Sequence, residues 1–382
     1  MRIRGAVLEE TGRSRPYGET RPITVCDLDL DGPGPTEVLV AIKAAGVCHS
    51  DLSVVDGNRP RPLPMLLGHE AAGTVLAVGE AVTDVAVGRQ VVMTFLPRCG
   101  TCDACGHSDL DWSRDGRLPC TEGTRANAAG ELLHHPGHLA RDGGRVRHHL
   151  GVSGFATHAV VDRASLVVVG DDVPAEVAAL FGCAVLTGGG AVINVARPQP
   201  SDSLMVVGLG GVGMAALLVA KAIGVERVVA VDRVTDKLDT AMSLGATEAM
   251  TPDEVLASGI RCEYVIECAG HPAALETAYA ATRPGGTTVT VGLPSPDATI
   301  TLPPLSLTAE ARTLVGSYLG SAIPARDIPR YEQLWRAGKL PVERLISARI
   351  ELTAINDAMD ALADGTAIRQ IIVIDQQDQE LP

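Results

Sequence analysis

The sequence predicts a mixed α/β protein with a β-rich first part and a second part built on a parallel sheet. Three observations support this prediction. The chain has 382 residues, which at about 100–200 residues per domain suggests two or three domains. Short β-branched runs broken by Gly and Pro fill residues 1–170. From about residue 175, apolar strands alternate with helical segments, as they do in sheets with crossover helices.

The β-rich part contains strand-like runs at 37–47, 73–79 and 89–96. Several strands at such short spacing are typical of a barrel-like unit. The segment 97–150 breaks the pattern with Cys, Asp, Gly, His and Arg residues and almost no periodicity. It indicates either a functional lobe or a disordered insertion.

The composition indicates which partners and which cellular compartment to expect for the protein. The chain carries 32 basic and 46 acidic residues, a net charge of −14, which argues against nucleic acid and anionic membranes as main partners. We expect no membrane span, because no apolar run reaches roughly 18 residues, and no secretory signal. A cytoplasmic location follows, where the nine cysteines are reduced and suit metal binding or catalysis better than disulfides.

A glycine turn is typical of dinucleotide binding. Gly208, Gly210 and Gly213 fit G-x-G-x-x-G, with Gly211 and Val212 between them, where a predicted strand ends and a helix begins. The helix start offers free N–H groups and a positive dipole end to a phosphate. A glycine-rich turn in an ordinary α/β domain is the alternative.

An acidic residue at the end of the next strand favours NAD as the cofactor. Asp232 stands where a carboxylate meets the ribose 2′-hydroxyl, and it repels the 2′-phosphate of NADP. Arg233 follows directly and opposes this preference. Lys237 is either a further contact to the adenosine ribose or an exposed helix lysine.

Two sets of residues suit zinc. Cys99, Cys102 and Cys105 have the spacing of thiolates that converge on one ion, and a closed tetrahedral site needs a fourth ligand nearby. Cys48 and His69 offer a second thiolate–imidazole pair, with Asp51 able to orient an imidazole. Taken alone, Cys48 and His69 fit a buried thiol and a core histidine without a metal equally well.

The ordered motifs GVCHSD (46–51), GHEAAG (68–73), FGC (181–183), GLGGVG (208–213) and IRQIIVI (368–374) resemble those of the zinc-dependent medium-chain alcohol dehydrogenases. The resemblance covers nearly the whole chain. It implies a GroES-like β-rich catalytic domain at 1–183 and 320–382, with a zinc lobe at 97–125. A Rossmann dinucleotide-binding domain at 184–319 interrupts it. A homodimer is implied, with a homotetramer as the alternative.

The resemblance also implies roles for single residues. A catalytic zinc is held by Cys48, His69 and Cys183, with Asp51 behind the histidine and Glu70 close to the metal. Ser50 takes the substrate proton. The cofactor contacts implied in addition to the glycine turn are His49, Thr187, Asp232, Lys237 and Arg369.

Two positions depart from the family pattern. The family's fourth structural cysteine falls at position 113, which is Ser113 here. We expect Cys120 to be the ligand instead, after an insertion of seven residues, since loop closure costs rise slowly with length. Ser113 or Asp111 as an oxygen ligand, and loss of this zinc, are the alternatives. A histidine that serves proton exit in many members is Ser53 here, which leaves His49 as the candidate.

Histidines also cluster between 134 and 149. We expect most of them to lie in a solvated loop: His134, His135, His138, His148. By resemblance, His149, Leu150 and Phe95 approach the substrate pocket. Cys262 and Cys268 are expected to be packing thiols.

The implied activity is reversible oxidation of an alcohol to an aldehyde or ketone with NAD, assisted by one catalytic and one structural zinc per chain. One alternative is a thiol-adduct formaldehyde dehydrogenase, although the segment after CHSD is mostly basic where such enzymes carry acids. The other alternative is a non-catalytic NAD-binding relic.

Overall fold

The computed structural model describes residues 1–106 and 118–375. The chain divides into two compact units. The first comprises Met1–Cys183 and the chain from Ile346 onward, and the second comprises Ala184–Leu345. The β-rich unit is therefore interrupted in sequence by the second unit.

The first unit begins with a series of short strands and helices. The strands are β1 (Arg2–Leu8), β2 (Ile23–Leu30), β3 (Glu37–Val47), β4 (Met65–Leu66), β5 (Glu70–Val78), β6 (Gln90–Thr94), β7 (Leu139–Arg141), β8 (Gly144–His148), β9 (His158–Asp162) and β10 (Leu166–Val168). The helices are α1 (Tyr17–Thr20), α2 (His49–Val55), α3 (Asp103–Gly106), α4 (Thr121–Ala129) and α5 (Ala175–Leu180).

Part of this unit is a closed barrel of strands in the order β1-β2-β7-β8-β4. Aliphatic side chains fill it, among them Ile3, Leu28 and Leu66, each at most 1% exposed. Alternation along β1 and β2 places Ile3 and Leu28 inward, because successive side chains of a strand point to opposite faces. The barrel predicted from strand spacing is present.

The second unit contains a parallel sheet with helices along the chain between its strands. The strands are β11 (Ser203–Val207), β12 (Arg227–Val231), β13 (Glu248–Met250), β14 (Cys262–Glu267), β15 (Thr282–Thr290) and β16 (Thr313–Gly316). The helices are α6 (Leu186–Gly190), α7 (Gly211–Ala222), α8 (Thr235–Ser243), α9 (Pro252–Ser258), α10 (Pro272–Ala280), α11 (Pro304–Ala309) and α12 (Pro324–Arg336).

The strand order of this sheet is β13-β12-β11-β14-β15-β16, with parallel pairing throughout. It is the doubly wound order of a Rossmann domain, in which the direction of winding reverses beside the first strand. The glycine turn follows that first strand, β11, as the sequence predicts. Cys262 is a fully buried thiol of this core.

The chain then returns to the first unit through β17 (Ile346–Ile350), α13 (Ile355–Ala363) and β18 (Arg369–Val373). Strand β18 pairs antiparallel with β3, completing a sheet in the order β10-β6-β5-β3-β18-β17 with β9 also on β3. Strands β5, β3 and β18 lie side by side in this sheet.

The sequence predicts that the chain re-enters the first unit at residue 320. This boundary is too early, because the second unit extends to Leu345. Helix α12 explains the difference. Its buried Asp327 accepts a hydrogen bond at 3.0 Å from the side chain of Asn194, and the Asn194 amide also donates to the carbonyl of Gly320 at 3.2 Å. These contacts hold α12 to the helical segment that opens the second unit.

The expectation that no apolar segment is long enough to span a membrane is wrong for one helix. Ala175–Ala196 is a continuous helical stretch of 22 residues, which includes α5, α6 and π-helical turns at Phe181–Val185 and Ala191–Ala196. Its mean hydropathy is 1.7, and 89% of the apolar window is buried within the protein. A helix in the core of a globular protein is also apolar and largely buried.

Candidate active site

Four side chains of the first unit converge in a buried cluster. Ligand atoms of Cys48, His69, Glu70 and Cys183 all lie within 4.8 Å of one another. Cys48 lies between β3 and α2, His69 immediately precedes β5, Glu70 begins β5, and Cys183 lies in the π-helical turn. The structure therefore brings together the three residues predicted as catalytic zinc ligands.

Local geometry explains why these segments meet closely. A Cβ atom at Gly182 would lie 2.5 Å from the carbonyl oxygen of Met93, so only glycine lets the turn carrying Cys183 rest on β6. A Cβ atom at Gly46 would lie 2.7 Å from Cδ and Oε1 of Glu70. Single π-helical turns are frequent at functional sites because they shift the register of one side chain.

Asp51 fixes the orientation of the histidine in this cluster. Nδ1 of His69 lies 3.0 Å from Oδ1 of Asp51, and both side chains are fully buried. A carboxylate only accepts hydrogen bonds, so Nδ1 carries the proton and Nε2 keeps its lone pair. Oδ2 of Asp51 accepts the backbone N–H of Cys48 at 3.1 Å, which ties the carboxylate to the first ligand segment.

The cluster fits a zinc ion by its chemistry. Nε2 of His69 is buried without a nitrogen or oxygen partner in the described residues, and its neighbours in the cluster are the two cysteine sulfur atoms. An unpaired buried imidazole nitrogen is costly unless something binds it. Two thiolates and one imidazole are a ligand set of catalytic zinc sites, which keep one position open.

Charges around the cluster favour a thiolate. A hydrogen bond from the thiol of Cys183, together with the positive charge of Arg369, holds the pKa of Cys48 well below its usual range. Burial raises the pKa of Glu70 to about 7, against the lowering effect of Arg369. Nη1 of Arg369 lies 2.6 Å from Oε1 of Glu70 and donates to the carbonyl of Val47 at 3.1 Å.

Arg369 therefore contacts the cluster through Glu70; its side chain is 3% exposed, and its Nε has no hydrogen-bond partner among the described residues. Its predicted contact to a cofactor stays a prediction. His49 is exposed and Ser50 half-buried in the first turn of α2. The Ser50 hydroxyl has no hydrogen bond to any residue in the described ranges, and Ser53 donates to the carbonyl of His49 at 3.0 Å.

Aromatic rings surround the predicted histidine ligand. Phe95 packs edge-on against His69 with ring centroids 5.4 Å apart. His149 packs edge-on from another direction at 5.7 Å, and its Nδ1 lies 3.1 Å from Oδ1 of Asp51 without being aligned for a hydrogen bond. Both side chains lie beside the cluster, and their predicted approach to a substrate pocket stays a prediction.

The second thiol cluster is complete. Sulfur atoms of Cys99, Cys102, Cys105 and Cys120 lie within 4.8 Å of one another. Backbone N–H groups of Cys102 and Gly123 donate to the sulfur atoms of Cys99 and Cys120 respectively, each at 3.3 Å. Cys120, chosen over Ser113 and Asp111, is thus the fourth member, and the other two lie outside the described residues.

Electrostatics in this lobe favour a mixture of thiols and thiolates before any metal binds. A backbone hydrogen bond from Thr121 and bonds from neighbouring thiols lower the pKa of Cys102 to about 6. Burial raises the pKa of Cys105 to about 12. Four neighbouring sulfurs cannot all be charged without a cation, so this arrangement fits a structural zinc site.

The glycine turn of the second unit has the form of a phosphate cradle. Gly208 adopts φ +93°, a conformation that favours glycine. A Cβ atom at Gly213 would collide with the carbonyl oxygen of Gly208, whereas a Cβ atom at Gly210 would meet nothing within 4 Å in the described structure. Gly210 lies directly before α7, at the position where the pyrophosphate approaches the backbone in dinucleotide-binding domains.

Asp232 lies beside this turn. Its Oδ2 accepts the backbone N–H of Leu209 at 2.6 Å, and its Oδ1 accepts that of Val234 at 3.0 Å. Lys237 is half-buried in α8 and Thr187 is buried in α6. The turn, Asp232, Lys237 and Thr187 all belong to the second unit.

The expectation of a solvated histidine loop is wrong for two histidines. His138 is 7% exposed and His148 is 1% exposed, and burial lowers the pKa of His148 to about 3. The cause is barrel closure, since β7 and β8 pair with strands far away in sequence. His134 and His135 are exposed, as expected.

Comparisons with known proteins agree with this geometry. Residues 34–172 match the alcohol dehydrogenase GroES-like domain, and residues 211–337 match the zinc-binding dehydrogenase family. The chain is 39% identical over 361 residues to geraniol dehydrogenase of Castellaniella defragrans, covering 92% of this chain and 94% of that protein.

Solved structures extend the similarity to the fold. Benzyl alcohol dehydrogenase from Acinetobacter calcoaceticus superposes with a TM-score of 0.88 at 31% identity, covering 98% of this chain and 100% of that chain. An alcohol dehydrogenase zinc-binding domain protein from Burkholderia ambifaria superposes with a TM-score of 0.89 at 30% identity and the same coverage.

A GroES-like domain with a thiolate–imidazole cluster, interrupted by a Rossmann domain, defines an oxidoreductase class. The chain belongs to the zinc-dependent medium-chain alcohol dehydrogenase family. The resemblance and the fold class inferred from the sequence are both confirmed.

Proposed function

We propose that this protein oxidises an alcohol to the corresponding aldehyde or ketone, reversibly, with NAD as the hydride acceptor and two zinc ions per chain. The observation that best supports the reaction is the convergence of Cys48, Cys183 and the unpaired Nε2 of His69 in one buried cluster. Cys48, His69 and Cys183 hold the catalytic zinc, and the four lobe cysteines hold the structural one.

Each side chain has a distinct task in this proposal. A zinc ion held by the two thiolates and the imidazole supplies Lewis-acid polarisation of the alcohol oxygen. Asp51 keeps the His69 ring in the tautomer and orientation that expose Nε2. The hydroxyl of Ser50, two residues after Cys48, relays the alcohol proton: Oγ accepts it while the hydroxyl's own proton passes on towards solvent. Phe95 and His149 exclude water on the side of His69 that they cover.

The names of two relatives suggest the substrate class. Geraniol and benzyl alcohol are primary alcohols whose carbinol carbon is bonded to an unsaturated carbon. Conjugation stabilises the aldehyde product of such alcohols. We propose that this chain prefers the same class over saturated alcohols such as ethanol.

The test is NADH formation by zinc-loaded protein over a panel of geraniol, benzyl alcohol, ethanol and propan-2-ol, together with the metal content. Turnover with an unsaturated primary alcohol supports the proposal. Formaldehyde oxidation that requires added glutathione indicates the thiol-adduct activity instead. Zinc-loaded protein that binds NADH but oxidises none of these alcohols favours the non-catalytic alternative.

Replacing Asp232 with alanine is expected to reverse the cofactor preference. The substitution removes a carboxylate that binds the ribose 2′-hydroxyl and repels a 2′-phosphate. A hydrogen bond to a charged group contributes about 1.5–3 kcal/mol, so kcat/KM with NAD should fall roughly 10- to 150-fold relative to NADP. The ratio of the two kcat/KM values is the measurement.

Asp239→Ala is the matched control, because Asp239 is an exposed acid on α8. It should leave the ratio unchanged. A ratio that stays constant in the Asp232 variant would show that another group selects the cofactor.

A further inference from the structure

A second group of metal-ligating side chains lies in the first unit, outside the active site and the cysteine lobe. Glu37, His135 and His138 each offer one ligand atom within 4.8 Å of the other two. Glu37 begins β3, and the two histidines lie in the His135-Pro-Gly-His138 segment that enters β7. Two imidazoles and one carboxylate are a ligand set that binds Zn²⁺ and its neighbours in the transition series.

The base of this group is rigid. Oε2 of Glu37 lies 2.6 Å from Nε2 of His138, and it also accepts the backbone N–H of Gly34 at 2.6 Å. The carboxylate is 2% exposed and the imidazole 6% exposed as side chains. The backbone N–H of Asp31 donates to the carbonyl of His138 at 3.0 Å, so the main chain holds the imidazole in place as well.

Ligand capacity is left over on all three residues. Oε2 of Glu37 already accepts two hydrogen bonds, from His138 and from the backbone of Gly34, and no residue in the described ranges donates to Oε1. Nδ1 of His138 has no hydrogen bond to the described residues. In His135, Nδ1 accepts the N–H of Gly137 at 3.1 Å, which leaves Nε2. A cation that takes the place of the proton between Nε2 of His138 and Oε2 of Glu37 gains both atoms as ligands, since metal binding displaces protons from its ligands.

Neighbouring charge favours a cation at this place. Asp162 lies opposite Glu37 in the β3–β9 pairing, is 2% exposed, and its Oδ1 has no hydrogen-bond partner in the described structure. The other oxygen accepts the N–H of Leu133 at 2.8 Å. Burial raises the pKa of Asp162 to about 6, so the carboxyl is charged above that pH and adds to the negative potential.

We propose that Glu37, His135 and His138 form a third metal site, open to solvent and specific for a borderline divalent transition metal. The rings of His135 and His138 are stacked, with centroids 4.0 Å apart and an interplanar angle of 9°. Parallel rings do not point their lone pairs at one ion, so binding requires rotation of the His135 ring. That rotation is inexpensive, because His135 is exposed.

Nickel titration of untagged protein that contains two zinc ions per chain tests the site, with zinc content measured before and after to show that the cysteine sites are undisturbed. The wild type should bind one equivalent of Ni²⁺ with a rise in melting temperature, because the ion ties the histidine segment to β3. His135→Ala should weaken this binding at least roughly tenfold, since one of three ligands is lost.

His134→Ala is the matched control, because His134 is the exposed neighbour of His135 and lies outside the group. It should bind nickel like the wild type. The proposal is overturned if the wild type takes up no additional equivalent, or if the His134 and His135 variants behave alike. None of these readouts depends on enzyme activity, so failure here leaves the proposed function intact.

Discussion

Replacing Cys48 with serine is expected to reduce kcat/KM for alcohol oxidation by at least about 10³-fold, equivalent to roughly 4 kcal/mol of transition-state stabilisation. Cys48 contributes one of the two thiolates of the buried cluster, and its thiolate form is the one favoured there. A serine hydroxyl stays protonated at neutral pH and is a poor zinc ligand. The measurements are steady-state kinetics and zinc per chain, which should fall from two to one.

Cys26→Ser is the matched control for this variant. Cys26 is a half-buried thiol of the same unit, and its sulfur lies 3.5 Å from Nη1 of Arg141 rather than in either cysteine cluster. It should keep both zinc ions and near-normal activity. A Cys48 variant that folds, loses no zinc and turns over normally would show that the buried cluster is not the catalytic centre.

The sequence predicted the parts of the site that are local. Cys48, Ser50 and Asp51 fall within one short segment, and the glycine turn with Asp232 has a recognisable strand–turn–helix context. Cys183 was found only through the resemblance, because nothing in its own segment distinguishes it from a buried helix cysteine. What brings it to the cluster is the contact between its π-helical turn and β6, which sequence periodicity does not reveal.

The predictions that are wrong concern contacts between segments that lie far apart in the chain. The histidines at 138 and 148 were expected in solvent because their segment lacks periodicity, yet β7 and β8 close the barrel and bury them. The return to the first unit was placed at 320, but the Asp327–Asn194 hydrogen bond holds α12 to the second unit. In both cases the deciding partner lies far along the chain.

Cys120→Ser is expected to remove the structural zinc while leaving the catalytic one. The sulfur of Cys120 lies 3.9 Å from that of Cys102, and Cys120 is fully buried at the start of α4. Losing a metal belongs to the substitutions that cost more than about 3 kcal/mol. At roughly 2–4 °C per kcal/mol for a domain of this size, the melting temperature should fall by about 6 °C or more.

Activity should separate the two zinc sites. Since the lobe cysteines do not contribute to the buried cluster of Cys48, His69 and Cys183, initial rates at low temperature should stay close to those of the wild type. Inactivation on warming should be faster.

Ser113→Ala is the discriminating control, because position 113 is where the family pattern puts the fourth ligand. If Ser113→Ala loses zinc and Cys120→Ser keeps both ions, an oxygen ligand replaces the cysteine. If only Cys120→Ser loses zinc, the insertion has moved the ligand by seven residues. The lobe tolerates such a longer loop as long as four sulfurs meet.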